Sequence, residues 1–152
     1  MNIKFFKKND IEALKKIIVP FRKAIELSKN DLGIPFTDFP MGCCGDTCLL
    51  LCHYLKSQGF NKVRYVAADD ILGYSHAWLE VNNVIIDITA SQFEDIKDDV
   101  IVNYKVKLPF YKRFSFNKDI YHTDFENYDN RTRLSMEYKY NLVMKNLSLF
   151  IN

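Results

Sequence analysis

The segment Ser75-His76-Ala77-Trp78-Leu79-Glu80-Val81, then Asn82-Asn83, then Val84-Ile85-Ile86-Asp87-Ile88-Thr89, constrains the fold more than any other stretch of the chain. Both runs are rich in β-branched and aromatic residues, and two asparagines, which tolerate positive φ, separate them. That pattern predicts a β-hairpin closed by a two-residue turn. The turn sets the register: Val81 opposes Val84, Trp78 opposes Asp87 and His76 opposes Thr89. His76, Trp78, Asp87 and Thr89 then share one face, while Ala77, Leu79, Val81, Ile86 and Ile88 form an apolar opposite face. Diagonal neighbours on one face lie about 7–8 Å apart between α-carbons, a gap that the side chains of His76 and Asp87 can bridge. An aspartate within Val-Ile-Ile-Asp-Ile runs against strand propensity, and beside a histidine it suits a base and the group that orients it.

A nucleophile for such a base stands upstream. Cys43, Cys44, Cys48 and Cys52 fall within ten consecutive residues, with Cys44, Cys48, Leu51, Cys52 and Leu55 at helical spacing up to Gly59. Thiols one turn apart on a helix do not pair sensibly as disulfides, and the absence of separated Cys-x-x-Cys knuckles speaks against zinc. Cys48 and Cys52 read as small core residues. Cys44 stands at the helix start, where partial positive charge and free N–H groups lower a thiol pKa and receive an oxyanion. Gly42 and Gly45 flank it and leave room for substrate. Cys43 should point elsewhere. His53 and His122 have no rigid element aiming them at Cys44 and are assigned to surface or packing.

A chain of 152 residues with 48% apolar content fits a single domain spanning residues 1–152, with a core that needs no staples. Its 21 Lys and Arg nearly balance 19 Asp and Glu, giving a net charge of +2 and no indication of a nucleic-acid partner. No apolar signal region or membrane span is legible, and unpaired thiols fit folding in the cytoplasm, whether the protein acts there or is delivered from there to another cell. Periodicity predicts a helix from Asp10 to about Lys29, bent or split at Pro20, and an ordered loop from Asp31 to Pro40. It further predicts a strand over Lys62 to Ala67, a short helix over Gln92 to Lys97, and strands over Val100 to Leu108 and Tyr111 to Phe116. A final helix from about Arg131 to Phe150 places Met136, Tyr140, Val143, Leu147 and Phe150 on one face.

The motifs Phe39-Pro40-Met41-Gly42-Cys43-Cys44, Ser75-His76-Ala77-Trp78-Leu79-Glu80-Val81 and Ile86-Asp87-Ile88-Thr89 resemble, in order, the Gly-x-Cys, His-Ala-Trp and Asp-x-Thr signatures of the transglutaminase-like superfamily. The resemblance covers about residues 39 to 93. It implies an α+β, papain-like core in which the nucleophile helix packs on an antiparallel sheet, with helical N- and C-terminal segments. It also implies Cys44 as nucleophile, His76 as base and Asp87 as the acidic third member. Gly45 stands where transglutaminases proper often carry an aromatic residue, and Ile88 where a proline is frequent. Six residues before Cys44, where the papain branch places a glutamine, stands Asp38, which cannot donate when ionised. Trp78 and Gln92 complete the candidate site as substrate-binding or oxyanion residues. The expected activity is acyl transfer from amides of protein or peptide substrates through a thioester, without metal or organic cofactor, hydrolytic by default as a peptidase or glutamine deamidase. The alternatives are a transglutaminase joining glutamine to an amine and a non-catalytic binding module retaining the fold.

Overall fold

Asn82 and Asn83 both adopt positive φ, at 48° and 63°, so the hairpin turns on the two residues the sequence singles out. Leu79 lies against Ile86, Glu80 against Ile85 and Val81 against Val84, the register expected from that turn. A computed structural model describes residues 8–120 and 124–151 and embeds this hairpin in an α+β fold.

Among the described residues there are three α-helices, α1 (Lys8–Ser28), α2 (Cys44–Ser57) and α3 (Asn130–Leu147). Five strands, β1 (Arg64–Asp70), β2 (Ser75–Val81), β3 (Val84–Asp87), β4 (Ile101–Tyr104) and β5 (Phe114–Ile120), form one sheet in the order β4-β3-β2-β1-β5. Every neighbouring pair is antiparallel, and the β1–β5 pairing shifts register between Ala67 and Ala68.

Helices and sheet bury a main core that includes Ala77, Leu79, Val81, Ile86 and Ile88, the face predicted to be apolar. Leu50, Leu51 and Leu55 of α2 are buried in it, and each such side chain stabilises the fold by about 1.5–3 kcal/mol. A second core, built from Val66, Ala68, Trp78, Ile85, Ala90, Ile101, Tyr111 and Phe114, covers the opposite face. Both faces of the hairpin are therefore dry. Among the described residues no helix is long and apolar enough to cross a membrane.

Several boundaries differ from expectation. Helix α1 runs unbroken through Pro20, where the missing N–H removes one rung but the buried neighbours Ile18 and Phe21 hold the turn in place. The predicted helix over Gln92 to Lys97 is only a 3-10 turn at Ala90–Gln92. The strand predicted over Val100 to Leu108 shortens to Ile101–Tyr104 because Lys105–Lys107 form a 3-10 turn, and the one predicted over Tyr111 to Phe116 shifts to Phe114–Ile120 because Pro109–Arg113 form another, opened by Pro109. Phe150 lies beyond the end of α3 and is exposed, unlike Met136, Val143 and Leu147. Asp129 caps α3, its carboxylate accepting the Thr132 N–H at 3.0 Å.

Candidate active site

Cys44 is the first residue of α2 and Cys43 its N-cap. The first bond of this helix runs from the Thr47 N–H to the Cys43 carbonyl, which leaves the N–H groups of Cys44, Gly45 and Asp46 without an intrahelical acceptor. Gly42 reaches this point at φ 74°, a conformation that costs a residue with a Cβ roughly 1–2 kcal/mol. Burial alone pushes the Cys44 thiol up. The hydrogen bond and charge of His76, joined by a hydrogen bond from the Ala77 N–H, outweigh burial and hold it below its ordinary value.

The other cysteines behave differently. Burial pushes the Cys43 thiol up to about 11; its sulfur faces the Pro40 carbonyl at 3.7 Å and accepts from the Thr47 hydroxyl at 3.6 Å. Cys48 is raised well above the usual thiol range by burial. All four cysteines are free, and only Cys44 is not fully buried.

On the hairpin, His76 Nε2 meets Asp87 Oδ2 at 2.6 Å, both side chains being almost wholly buried. Asp87 Oδ2 also accepts from the Tyr111 hydroxyl at 2.8 Å, while Oδ1 accepts from the Thr89 N–H at 2.8 Å and the Thr89 hydroxyl at 3.2 Å. These donors leave the carboxylate no unserved oxygen. Burial pushes Asp87 up, but the neighbouring His76 and the donors prevail and hold it below the usual carboxylate range. Burial likewise pushes His76 down, and the Asp87 charge overrides this, raising the imidazole to about 9 with a further contribution from Cys44. A carboxylate on Nε2 leaves Nδ1 as the nitrogen for the thiol.

The remaining predicted site residues fall into different places. Gln92 donates from its amide nitrogen to the Thr89 carbonyl at 3.1 Å and lies 3.2 Å from His76 Nδ1, so it belongs to the His76 cluster and is engaged there. Trp78 is buried in the second core, its indole N–H donating to Glu80 at 3.1 Å and its ring meeting Tyr111 edge-on at 5.0 Å and lying tilted against Phe114 at 5.6 Å. It is therefore a packing residue beneath the histidine rather than part of a substrate surface. Gly45 does not face open space: a Cβ there would stand 3.2 Å from the Tyr65 hydroxyl, so its missing side chain admits Tyr65 rather than substrate. Gly42 does face open space. His53 stacks on Phe125 at 4.3 Å and edges Tyr140 at 4.5 Å, beside an open cavity of about 550 Å³ that shares no residue with the triad candidates. His122 lies outside the described residues.

Sequence reasoning missed Tyr111, which sits in a stretch of strand-like composition and turns inward from a 3-10 turn. It also missed the aromatic cover of His76, whose ring meets Phe93 edge-on at 5.1 Å and lies 5.8 Å from Phe114. Among the described residues no group of three or more His, Cys, Asp or Glu is placed to hold a metal ion.

No protein-family model matches the chain, and no curated protein or solved structure matches it either.

Proposed function

We propose that the chain is a cysteine-dependent acyl-transfer enzyme of the papain-like, transglutaminase-like kind, acting on amide bonds of protein or peptide substrates and hydrolytic by default. One observation carries this reading: a single buried imidazole joins a carboxylate at 2.6 Å to a half-buried thiol at a helix start. Catalysis needs a thiolate available at neutral pH, and this arrangement supplies one as an ion pair with His76.

In the first half of the reaction the Cys44 sulfur bonds to the amide carbon and the carbonyl oxygen gains charge beside the free N–H groups of the α2 start. The carbon–nitrogen bond then breaks, and the amine or ammonia leaves with the proton from His76 Nδ1. In the second half Nδ1 takes a proton from water, the resulting hydroxide oxygen bonds to the thioester carbon, and the sulfur leaves as thiolate. Asp87 keeps its charge throughout and holds Nε2–H in place.

Brief exposure of a proteome to the protein and to a Cys44→Ser variant, followed by mass spectrometry, tests the reading. New termini or one-dalton glutamine shifts that depend on Cys44 are expected. Efficient Cys44-dependent incorporation of a labelled amine would replace hydrolysis with transglutamination. A proteome left unchanged, with Cys44 no more reactive than an ordinary thiol, would leave the binding module as the better reading.

A further inference from the structure

In a two-residue hairpin the residues flanking the turn exchange hydrogen bonds, and the exchange recurs at every second position. Here the exchanging pairs are Val81 with Val84 and Leu79 with Ile86, and the next would join the Ala77 N–H to the Ile88 carbonyl. That rung is not made. Strand β3 ends at Asp87, and the Ile88 carbonyl instead accepts from Arg22 Nε at 3.0 Å. The Ala77 N–H points into the same gap, where it helps His76 to hold the Cys44 thiol below its ordinary value. A broken rung thus lets a thiol from the helix-covered side reach an imidazole on the other.

Arg22 is 4% exposed, on the apolar face of α1 between Ile18 and Ile25. Its guanidinium touches three separate pieces of the site. It lies 5.1 Å over the ring of Phe39 in the loop that delivers Cys44, bonds to Ile88 next to Asp87, and reaches the Ser91 hydroxyl next to Gln92 at 3.4 Å. Glu26 and Asp99 neutralise it from the surface side, Asp99 at 3.3 Å. A planar fork serves these partners together; an ammonium cannot.

We propose that Arg22 is a positioning residue for the reaction: by occupying the Ile88 carbonyl it keeps the β2–β3 ladder open at Ala77, so that the Ala77 N–H serves the Cys44 sulfur. The inference rests on the reading of Cys44, His76 and Asp87 as an active site and assigns Arg22 no contact with substrate.

The test is the rate of Cys44 alkylation by limiting iodoacetamide across pH, located by peptide mapping, with folding followed by near-ultraviolet circular dichroism. Wild type is expected to show an inflection well below the free-thiol value of about 8.5. Arg22→Lys should move that inflection up by about one pH unit and slow alkylation at pH 6 roughly tenfold, the change expected when a thiolate loses one backbone donor. Added guanidinium should restore an Arg22→Gly variant, while Glu26→Gln, which leaves the Nε bond in place, should superimpose on wild type. A folded Arg22→Lys protein with the wild-type profile overturns the proposal. Should neither Arg22 variant fold, the wild-type protein decides: the Ala77 amide resonance is expected to titrate with the alkylation midpoint, and an Ala77 resonance that stays flat overturns the proposal. If wild-type Cys44 has no low inflection, or His76→Ala does not change it, the active-site reading itself fails and this inference falls with it. A wild-type inflection that Arg22→Lys leaves in place defeats only the inference.

Discussion

Asp87→Asn isolates what the carboxylate does, because the structure dictates how the amide must sit. Oδ1 faces the Thr89 N–H, which can only donate, so the new NH2 group cannot take that position. It must replace Oδ2, where it faces His76 Nε2 and the Tyr111 hydroxyl. Nε2 then has to accept, and the imidazole is driven into the tautomer with its proton on Nδ1, toward the thiol. Such a ring cannot take the proton from Cys44. The raised imidazole is lost as well: a rise from an ordinary 6.5 to about 9 corresponds to about 3 kcal/mol, or roughly 300-fold in the ion-pair population. Alkylation of Cys44 near pH 6.5 should therefore fall by about 10²–10³-fold, in a protein that keeps its far-ultraviolet spectrum. An Asp87→Asn protein that alkylates within about threefold of wild type, with an unchanged inflection, would refute this reasoning.

The pH dependence of kcat/KM on any amide substrate should be bell-shaped. Its acid limb lies below the ordinary thiol value as Cys44 ionises, and its alkaline limb lies at about 9 as His76 loses its proton; a profile still rising above pH 9.5 would contradict the ion pair. Gly45→Ala should lower stability by about 1–3 kcal/mol through contact with Tyr65, and Tyr65→Phe in the same chain should recover most of the loss; thermal melts of the three variants check both statements.

The hairpin was legible because its information is local: Asn82-Asn83 supplies the turn, and strict alternation supplies the faces. The α2 start was legible for the same reason, through Gly42 and the spacing of Cys44, Cys48 and Cys52. Beyond Ser91 the chain is held by partners distant in sequence. Tyr111 faces inward because Asp87 accepts from it across the second core, and nothing within several residues of Tyr111 encodes that. Arg22 stands between these cases. An arginine on an apolar helical face is visible in sequence, but its partner, a carbonyl released from a ladder 66 residues away, is not.

A buried histidine–aspartate pair is costly to desolvate, and the second core is where the fold meets that cost. Tyr111 and Thr89 satisfy the carboxylate, while Phe93, Phe110 and Phe114 form an aromatic wall beside the imidazole. Arg113 closes the wall, lying 5.1–5.3 Å over those three rings and held by Asp70 at 3.0 Å. With water excluded, the attraction between His76 and Asp87 is screened less than at a surface, which keeps the imidazole charged at neutral pH. The same wall has a consequence for the proposed reaction. His76 Nε2 is occupied by Asp87 at 2.6 Å, so neither water nor an amine can use it, and any acceptor of the acyl group must approach Nδ1 from the half-buried Cys44 side. Selection between water and amine therefore falls to the groups around the α2 start rather than to the histidine pocket.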